Sequence, residues 1–248
     1  MKKFKKTKKE ILREFNKEKY YQLLVEYKKL KKKINLNLTD IDQLIIKKKF
    51  KTKKLIQIKK IILKNTRNYI SKKKTIVEFG CGYGSVGLFL MKNKNLLSNK
   101  FIFLDIANNG IRLLKQLAAD LKIKNKKLQT GFVDIYNGKI DKKIKIPENS
   151  VFITVGSMFY KKKHNDKFIN FFIKYKFKKI LFFEPIYEYN LNNKKICNYF
   201  IKNNYHQNFL KLLTENKKIK IILEKKNLFS LNKLLPYSLV IIKRIKSY

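Results

Sequence analysis

The chain has 248 residues, of which 44% are hydrophobic, and it carries a formal net charge of +44 at pH 7. This length and apolar content exclude an undecorated small domain or a disordered tail, and they suffice for one sizeable globular domain or a domain with a helical extension. A charge of this size would ordinarily indicate a polyanionic partner. Only four of the 61 basic residues are arginine, however, and Ile and Asn are abundant, as in an AT-rich coding sequence. The charge is therefore weak evidence for nucleic-acid binding, because Arg makes bidentate contacts that Lys cannot.

Cysteine content and hydropathy bear on the cellular compartment. Two cysteines, Cys81 and Cys197, are too few for a disulfide framework in a chain of this length, which favours a reducing environment. No apolar run approaches the roughly 20 residues needed to span a bilayer. The basic segment at residues 1–9 is not followed by the apolar stretch and cleavage site of a secretory signal. We therefore expect a cytoplasmic protein that begins near Met1.

Residues 1–74 are predicted to form a lysine-rich helical extension. Up to residue 75 the chain has 27 Lys and Arg against 6 Asp and Glu, a net charge of +21, so the basic density is concentrated in the first third. Apolar residues there recur near helical spacing, which predicts two or three amphipathic helices with solvated lysine faces. Thr39 followed by Asp40 has the residue types of a helix start.

In residues 75–248 short apolar runs alternate with helical patterns, which is typical of a mostly parallel sheet with crossover helices. The predicted strands are residues 75–79, 101–106, 128–133, 151–155, 180–184, 218–224 and 238–244. The predicted helices are residues 85–92, 109–121 and 166–175, with a longer helical stretch from about 191 to 214. The last two strands have no helix between them, which predicts an antiparallel pair that closes the sheet.

A glycine-rich turn, E-F-G-C-G-Y-G at residues 78–84, ends the first predicted strand and opens into a helix. Glycines are needed where a turn takes positive φ and where a ligand approaches the backbone without Cβ atoms in the way. The dinucleotide fingerprint G-x-G-x-x-G/A would place its third small residue at Ser85, and Glu78 would be unfavourable beside a pyrophosphate. An acidic residue at this position suits a cationic, nucleotide-like cofactor better.

This turn is followed by Asp105 at the end of the second strand and Asp134 at the end of the third, and the series resembles the class I S-adenosylmethionine-dependent methyltransferases. The resemblance covers roughly residues 75–245 in motif order. It includes the ending of the fourth strand, V-G-S-M at residues 155–158, and that of the fifth, F-E-P at residues 183–185. It implies a Rossmann-like α/β sheet, mostly parallel, of seven strands with a C-terminal antiparallel strand, and S-adenosylmethionine as the cofactor.

The resemblance also implies roles for individual residues. The glycine turn would lie under the methionine and ribose portions of the cofactor, Asp105 would receive the ribose hydroxyls, and Asp134 would contact the adenine amino group. The cofactor-binding residues implied in this way are Glu78, Gly80, Gly82, Gly84, Asp105, Ile106, Asp134 and Val155. From the residues alone, Asp105 and Asp134 could each be a helix N-cap, and it is their joint placement that favours the cofactor site.

Missing motifs narrow the acceptor. The chain lacks the Asn/Asp-Pro-Pro-Tyr sequence of amino-methylating enzymes, a cysteine placed for cytosine carbon-5 chemistry, and metal-binding acids at the end of the fourth strand. The prediction is metal-independent methyl transfer to an oxygen or nitrogen of a small molecule or saccharide. Two alternatives stay open. One is an RNA or ribosomal-protein methyltransferase that docks through the basic N-terminal region, and the other is a non-catalytic protein that keeps the fold as an interaction module.

Methyl transfer from a sulfonium requires a positioned acceptor and a general base that removes its proton. The candidates are His164, which follows the fourth strand, His206, and the pair Glu184 and Glu188 at the carboxyl end of the fifth strand, where open α/β sheets bind ligands. Glu184 is the preferred site residue, because a carboxylate that ends an apolar strand must find a partner. A loop histidine such as His164 is more often simply solvated.

Overall fold

The structure is a computed structural model that describes residues 8–31, 42, 49–70, 74–96, 99–124, 127–160 and 166–245. Two sequence predictions fall outside these residues. They are the helix start at Thr39 and Asp40 and the candidate base His164.

One sheet of eight strands runs through the described part of the chain, in the order β4-β3-β2-β1-β5-β6-β8-β7. The strands are β1 (Thr75–Phe79), β2 (Lys100–Asp105), β3 (Leu128–Asp134), β4 (Lys139–Ile140), β5 (Val151–Val155), β6 (Lys179–Pro185), β7 (Ile219–Phe229) and β8 (Tyr237–Arg244). Strands β1, β2, β3, β5 and β6 pair in parallel, whereas β8 is antiparallel to both β6 and β7. The predicted α/β sheet with an antiparallel C-terminal strand is confirmed, and the two-residue β4 is an addition that pairs with β3.

Helices cover both faces of this sheet. In the described residues they are α1 (Lys8–Leu12), α2 (Tyr21–Lys31), α3 (Lys49–Arg67), α4 (Ser85–Met91), α5 (Asn108–Asp120), α6 (Asp166–Ile173), α7 (Lys194–Lys202) and α8 (Phe209–Glu215). A π-helical segment, Arg13–Tyr20, joins α1 to α2. The predicted helices at 85–92, 109–121 and 166–175 are present as α4, α5 and α6, with small shifts at their ends. None of the described helices combines the length and apolar content that crossing a bilayer requires.

The prediction of one helical stretch between residues 191 and 214 is wrong, because two separate helices, α7 and α8, occupy this region. The Asn193 side-chain oxygen accepts a hydrogen bond from the Ile196 backbone N–H at 3.1 Å and so caps the start of α7. After α7, Asn204 has a φ of 59°, in the left-handed region that Asn tolerates better than most residues. Asn favours such caps and turns because its side chain competes for backbone hydrogen bonds.

The face of the sheet that packs against α6 is covered by an aromatic core. Phe168 and Phe172 of α6 pack edge to face at a centroid distance of 5.2 Å. Phe172 lies 5.2 Å from Phe79 of β1, which lies 5.1 Å from Phe152 of β5. These rings are buried in one cluster. Burial on both faces explains why β1, β2, β5 and β6 read as almost continuous apolar runs.

The N-terminal helices complete the core on the opposite face. Leu23 and Tyr27 of α2 and Ile58 and Ile62 of α3 are buried in one cluster with Phe103 of β2. The helices predicted from the lysine-rich third therefore bury their apolar faces against the sheet.

The N-terminal segment is also hydrogen-bonded to both ends of α5. At the start of α5, the Asn109 backbone N–H donates to the Asn16 side-chain oxygen at 2.7 Å, and the Asn109 side-chain amide donates to the Asn16 carbonyl at 2.9 Å. At the end of α5, the Tyr27 hydroxyl donates to the Asp120 carboxylate. These contacts hold the π-helical segment beside the carboxyl edge of the sheet.

The packing of α3 against the sheet is testable with two matched substitutions. Ile62→Ala is expected to lower the free energy of unfolding by about 2–5 kcal/mol, because Ile62 is buried and its loss leaves a cavity. Ile201→Ala removes the same atoms at a position on α7 that is 54% exposed, and we expect a change of less than about 1 kcal/mol. Urea unfolding followed by circular dichroism measures both changes. Equal effects of the two substitutions would contradict the burial of α3.

Candidate active site

A cavity of about 560 Å³ opens at the carboxyl ends of the parallel strands. It lies where β1 and β5 are neighbours and the strand order reverses, which is where open α/β sheets bind ligands. Its volume is in the range of small-molecule sites. The lining residues are Phe15, Lys19, Tyr20, Leu55, Glu78, Gly80, Cys81, Gly82, Tyr83, Ser85, Val86, Asp105, Ile106, Val133, Asp134, Ile135, Tyr136, Val155, Gly156, Ser157, Tyr160, Leu231 and Tyr237.

The glycine turn, residues 80–84, forms the part of the wall that follows β1. Gly80 and Gly82 have φ angles of 66° and 58°, in the left-handed region that favours glycine. Space is equally limiting. A Cβ atom at Gly80 would lie 2.3 Å from the Ser157 Cβ, and one at Gly82 would lie 2.4 Å from the Tyr20 hydroxyl oxygen. Larger residues at these two positions would therefore push the turn away from its neighbours.

Gly84 differs from the other residues predicted to bind the cofactor, because it is not among those that line the cavity. It immediately precedes α4, and a Cβ atom there would lie 2.4 Å from the Leu114 Cδ1 on α5. The structure therefore relates this glycine to the close packing of α4 against α5. The other seven predicted cofactor residues, including Ile106 and Val155, all line the cavity.

The Asp105 carboxylate joins the end of β2 to the glycine turn. Its Oδ2 accepts a hydrogen bond from the Gly82 backbone N–H at 2.7 Å, and its Oδ1 accepts one from the Ala107 backbone N–H at 2.7 Å. Burial raises the pKa of Asp105, and these backbone donors lower it. The Ile106 backbone N–H is a third donor to this carboxylate, so about one of its four lone-pair sites is left for a ligand in the cavity.

Glu78 on β1 is a buried carboxylate with an unused oxygen. Burial raises its pKa to about 8, while the Gly87 backbone N–H and the positive charge of Lys59 lower it and the Asp105 carboxylate raises it. Its Oε2 is buried and has no hydrogen-bond partner among the residues that the structure describes. A buried polar atom without a partner costs free energy. The Glu78 Oε2 faces Gly87 on α4. Because Glu78 also lines the cavity, its carboxylate is suited to a ligand that brings a positive charge.

Asp134 caps a turn and also lines the cavity. Its carboxylate accepts hydrogen bonds from the Asn137 backbone N–H at 3.2 Å and from the Asn137 side-chain amide at 2.8 Å, so it caps the turn after β3. The same side chain lines the cavity. A cap and a ligand-facing carboxylate are thus compatible at this position.

Aromatic side chains that no motif indicated form another part of the cavity wall. Phe15 and Tyr20 come from the π-helical segment, Tyr160 follows β5, and Tyr237 begins β8. The rings of Phe15 and Tyr160 meet edge to face at 5.4 Å. Burial raises the pKa of Tyr20, Tyr160 and Tyr237, so their hydroxyls stay protonated at neutral pH. The sequence contains no signal for this wall. The chain has 14 tyrosines spread along its length, and the three in this wall come from segments distant in sequence.

Glu184, the preferred candidate base, is fully buried and is not among the cavity-lining residues. Its carboxylate accepts hydrogen bonds from the backbone N–H groups of Ser157 at 3.1 Å and Met158 at 3.2 Å. Burial raises its pKa to about 7, and these donors lower it. Because Ser157 lines the cavity, this geometry relates Glu184 to the position of the turn after β5 instead of to contact with a substrate.

Glu188 and His206 also lie away from the cavity lining. The Glu188 Oε1 accepts hydrogen bonds from the backbone N–H groups of Leu210 at 2.7 Å and Lys211 at 3.3 Å, at the start of α8. His206 is fully buried, and its Nε2 lies 2.7 Å from the Pro185 carbonyl oxygen. Burial lowers the pKa of His206 to about 4, so it is neutral at pH 7. The structure therefore does not bring these two candidate bases together with the predicted cofactor residues.

Comparison with known proteins gives structural similarity only. No family model and no curated protein sequence matches the chain. Among solved structures, the magnesium protoporphyrin IX methyltransferase from Synechocystis PCC 6803 with bound S-adenosylhomocysteine superposes with a TM-score of 0.56 at 14% identity, over 78% of this chain and 85% of that one.

Two further structures show that this similarity extends across enzymes with different acceptors. The geranyl diphosphate C-methyltransferase from Streptomyces coelicolor A3(2), in complex with Mg²⁺, geranyl diphosphate and S-adenosyl-L-homocysteine, has a TM-score of 0.56 at 9% identity, over 77% of this chain and 81% of that one. A small RNA methyltransferase has a TM-score of 0.52 at 18% identity, over 77% of this chain and 25% of that one. Together with the strand order and the position of the cavity, these similarities show that the chain has the Rossmann-like fold of the class I S-adenosylmethionine-dependent methyltransferases.

Proposed function

We propose that the chain is a cytoplasmic S-adenosylmethionine-dependent methyltransferase that transfers a methyl group, without a metal ion, to an oxygen or nitrogen of a small molecule or saccharide. The observation that carries the proposal is the position of Glu78, Asp105 and Asp134 beside the glycine turn in one cavity. These carboxylates come from three adjacent parallel strands. A cationic amino acid joined to a nucleoside offers them a positive charge, a diol and an amino group as partners.

The residues fit this cofactor one group at a time. The turn at Gly80 and Gly82 has no room for Cβ atoms, so its bare backbone can approach the methionine portion. Glu78 lines the cavity beside the glycine turn and is the carboxylate that would meet the ammonium group. Asp105 accepts three backbone hydrogen bonds and has about one lone-pair site left for a ribose hydroxyl. Asp134, at the end of the next strand, would meet the adenine amino group.

When bound, S-adenosylmethionine supplies a methyl group on a positively charged sulfur. The contribution of the chain is to orient the acceptor and to exclude water from it. Tyr20, Tyr160 and Tyr237 suit this task, because their rings enclose part of the cavity and their protonated hydroxyls can donate hydrogen bonds to an acceptor oxygen or nitrogen. Glu184 contributes indirectly, since it fixes the backbone at Ser157 on the cavity wall.

Methylation of RNA or of a ribosomal protein is the second candidate. It is favoured by the net charge of +21 in the first 75 residues and by Lys19, which lines the cavity. A polyanion bound to this region would lose affinity by orders of magnitude between about 50 and 200 mM salt. Transfer of a labelled methyl group into RNA or ribosomal protein, but not into small acceptors, would replace the small-molecule proposal.

The cofactor site is testable with Asp105→Ala and Gly82→Val. Both are expected to abolish binding of S-adenosylhomocysteine in calorimetry, because the first removes the carboxylate that holds the turn and the second places a side chain against Tyr20. Circular dichroism should still show a folded sheet. Gly138→Val is the comparison variant, because Gly138 also has a positive φ of 64° but does not itself line the cavity, and its Cβ would meet only Phe171, at 3.8 Å. Wild-type affinity in both site variants would refute this assignment.

The affinity for the cofactor is expected to depend on pH through Glu78. With a pKa of about 8, Glu78 is mostly protonated in the free protein at neutral pH. An ammonium group beside it favours the ionised form, so binding lowers this pKa and releases a proton. The affinity for S-adenosylhomocysteine should therefore rise about tenfold from about pH 6.5 to about pH 8.

Calorimetry in two buffers of different ionisation enthalpy measures both the affinity and the proton release. The control is Glu78→Gln, which cannot ionise and is expected to bind weakly with a flat pH profile. An unchanged pH profile in this variant would place the ammonium group beside another residue.

A further inference from the structure

A buried ion pair lies behind the glycine turn, and neither member is among the cavity-lining residues. Asp42 is 0% exposed and Lys59, on α3, is 2% exposed, and the Lys59 ammonium group contacts the Asp42 Oδ2. The Asp42 Oδ1 accepts hydrogen bonds from the Tyr83 hydroxyl at 2.6 Å and from the Ser85 hydroxyl at 2.7 Å. Tyr83 belongs to the glycine turn and Ser85 begins α4. The Asp42 carboxylate therefore joins α3 to the end of the glycine turn, through Tyr83, and to the start of α4, through Ser85.

The packing of α3 does not by itself require an ion pair. Burying two charges costs desolvation free energy, and an apolar pair of similar volume could hold α3 in place equally well. What an ionised carboxylate adds is strength and direction in its hydrogen bonds, since bonds to a charged acceptor are about twice as strong as those between neutral groups. Here the hydroxyls of Tyr83 and Ser85 donate those bonds to Asp42.

The glycine turn needs such an attachment. Three of its five residues are glycines with positive φ, which gives the free turn a large conformational freedom. Asp105 holds the turn on the side of β2, through the Gly82 backbone N–H. Asp42 holds it on the side of α3, through Tyr83 and Ser85. The turn is thus fixed between two buried carboxylates that come from opposite sides.

Lys59 also acts electrostatically on the cavity. Burial lowers the pKa of Lys59, while the charges of Asp42 and Glu78 raise it. In return, the Lys59 charge lowers the pKa of Glu78. The ammonium group therefore lies within electrostatic reach of both the carboxylate behind the turn and the carboxylate on the cavity wall.

We propose that Asp42 and Lys59 are positioning residues of the cofactor site, in which Asp42 fixes the glycine turn through Tyr83 and Ser85 and Lys59 is the buried counter-charge that pairs with Asp42. The inference rests on the proposed function, because the ligand that the fixed turn serves is the proposed cofactor. In this proposal the chain before β1 supplies two residues that position the cofactor site.

The test is the affinity of the full-length chain for S-adenosylhomocysteine, measured by calorimetry. Asp42→Asn is expected to weaken binding about tenfold or more, because Asn is neutral and has a single acceptor oxygen. The matched control is Asp120→Asn. Asp120 also accepts a hydrogen bond from a tyrosine of the N-terminal region, Tyr27. It lies at the end of α5 that is remote from the glycine turn, so we expect the affinity of Asp120→Asn to change by less than about twofold.

A double-mutant cycle separates positioning from a general loss of stability. In a background of Tyr83→Phe with Ser85→Ala, the two hydroxyls are already gone, so adding Asp42→Asn should weaken binding by less than about twofold. A general stability effect would instead produce the same loss in both backgrounds. If Asp42→Asn alone does not fold, Asp42→Asn combined with Lys59→Met is measured, because it leaves no unpaired charge buried. This variant is expected to fold and to bind weakly.

Wild-type affinity in the folded Asp42 variant, equal losses in Asp42→Asn and Asp120→Asn, or full additivity in the cycle would overturn this inference. Each of these results leaves the proposed function intact. Failure of the wild-type chain to bind S-adenosylhomocysteine would instead overturn the proposed function.

Discussion

The hydrogen bond from the Gly82 backbone N–H to the Asp105 carboxylate is the interaction on which the rest of the site depends. It forms because β1 and β2 pair in parallel, with Phe79 opposite Leu104, so that both strands end at the same edge of the sheet. Asp105 also accepts a hydrogen bond from Ala107, immediately before α5. One carboxylate therefore orients the glycine turn and the start of the next helix together, and with them a large part of the cavity wall.

Buried carboxylates surround this interaction in a chain that is otherwise strongly basic. Glu78, Asp105, Asp134 and Glu184 lie at or near the carboxyl ends of four parallel strands, and none is more than 7% exposed. Burial raises the pKa of Glu78, Asp105 and Glu184, and backbone N–H donors oppose this effect. The hydrogen bonds from these donors offset part of the cost of desolvation. The outcome is an acidic edge inside a chain of net charge +44, and such an edge suits a cationic ligand.

The N-terminal helices contribute to this edge in a way that their charge does not suggest. Their apolar faces are buried against the sheet, and the π-helical segment brings Phe15 and Tyr20 to the cavity. Asp42 contributes a buried negative charge on the far side of the glycine turn. Among the described residues, the contacts of this region with the site include two aromatic rings, one buried carboxylate and two lysines, Lys19 on the cavity wall and the buried Lys59. Net charge is therefore a poor guide to what this part of the chain does.

The sequence by itself determined the sheet and the part of the cavity wall formed by the glycine turn and the carboxylates of β1, β2 and β3, because both follow from local patterns. Buried parallel strands read as apolar runs, and residues that directly follow such runs must meet at one edge of the sheet. The break at Asn204 escaped prediction, since periodicity does not register a single left-handed residue. Tertiary structure alone decided which other side chains line the cavity and which candidate bases stay away from it. Glu184 and His206 have the right chemistry for catalysis, yet their neighbours bury them in hydrogen bonds that hold the fold. Tyr20 and Asp42 reach the site from segments distant in sequence, because the packing of helices on the sheet, which no local pattern encodes, sets which side chains meet there.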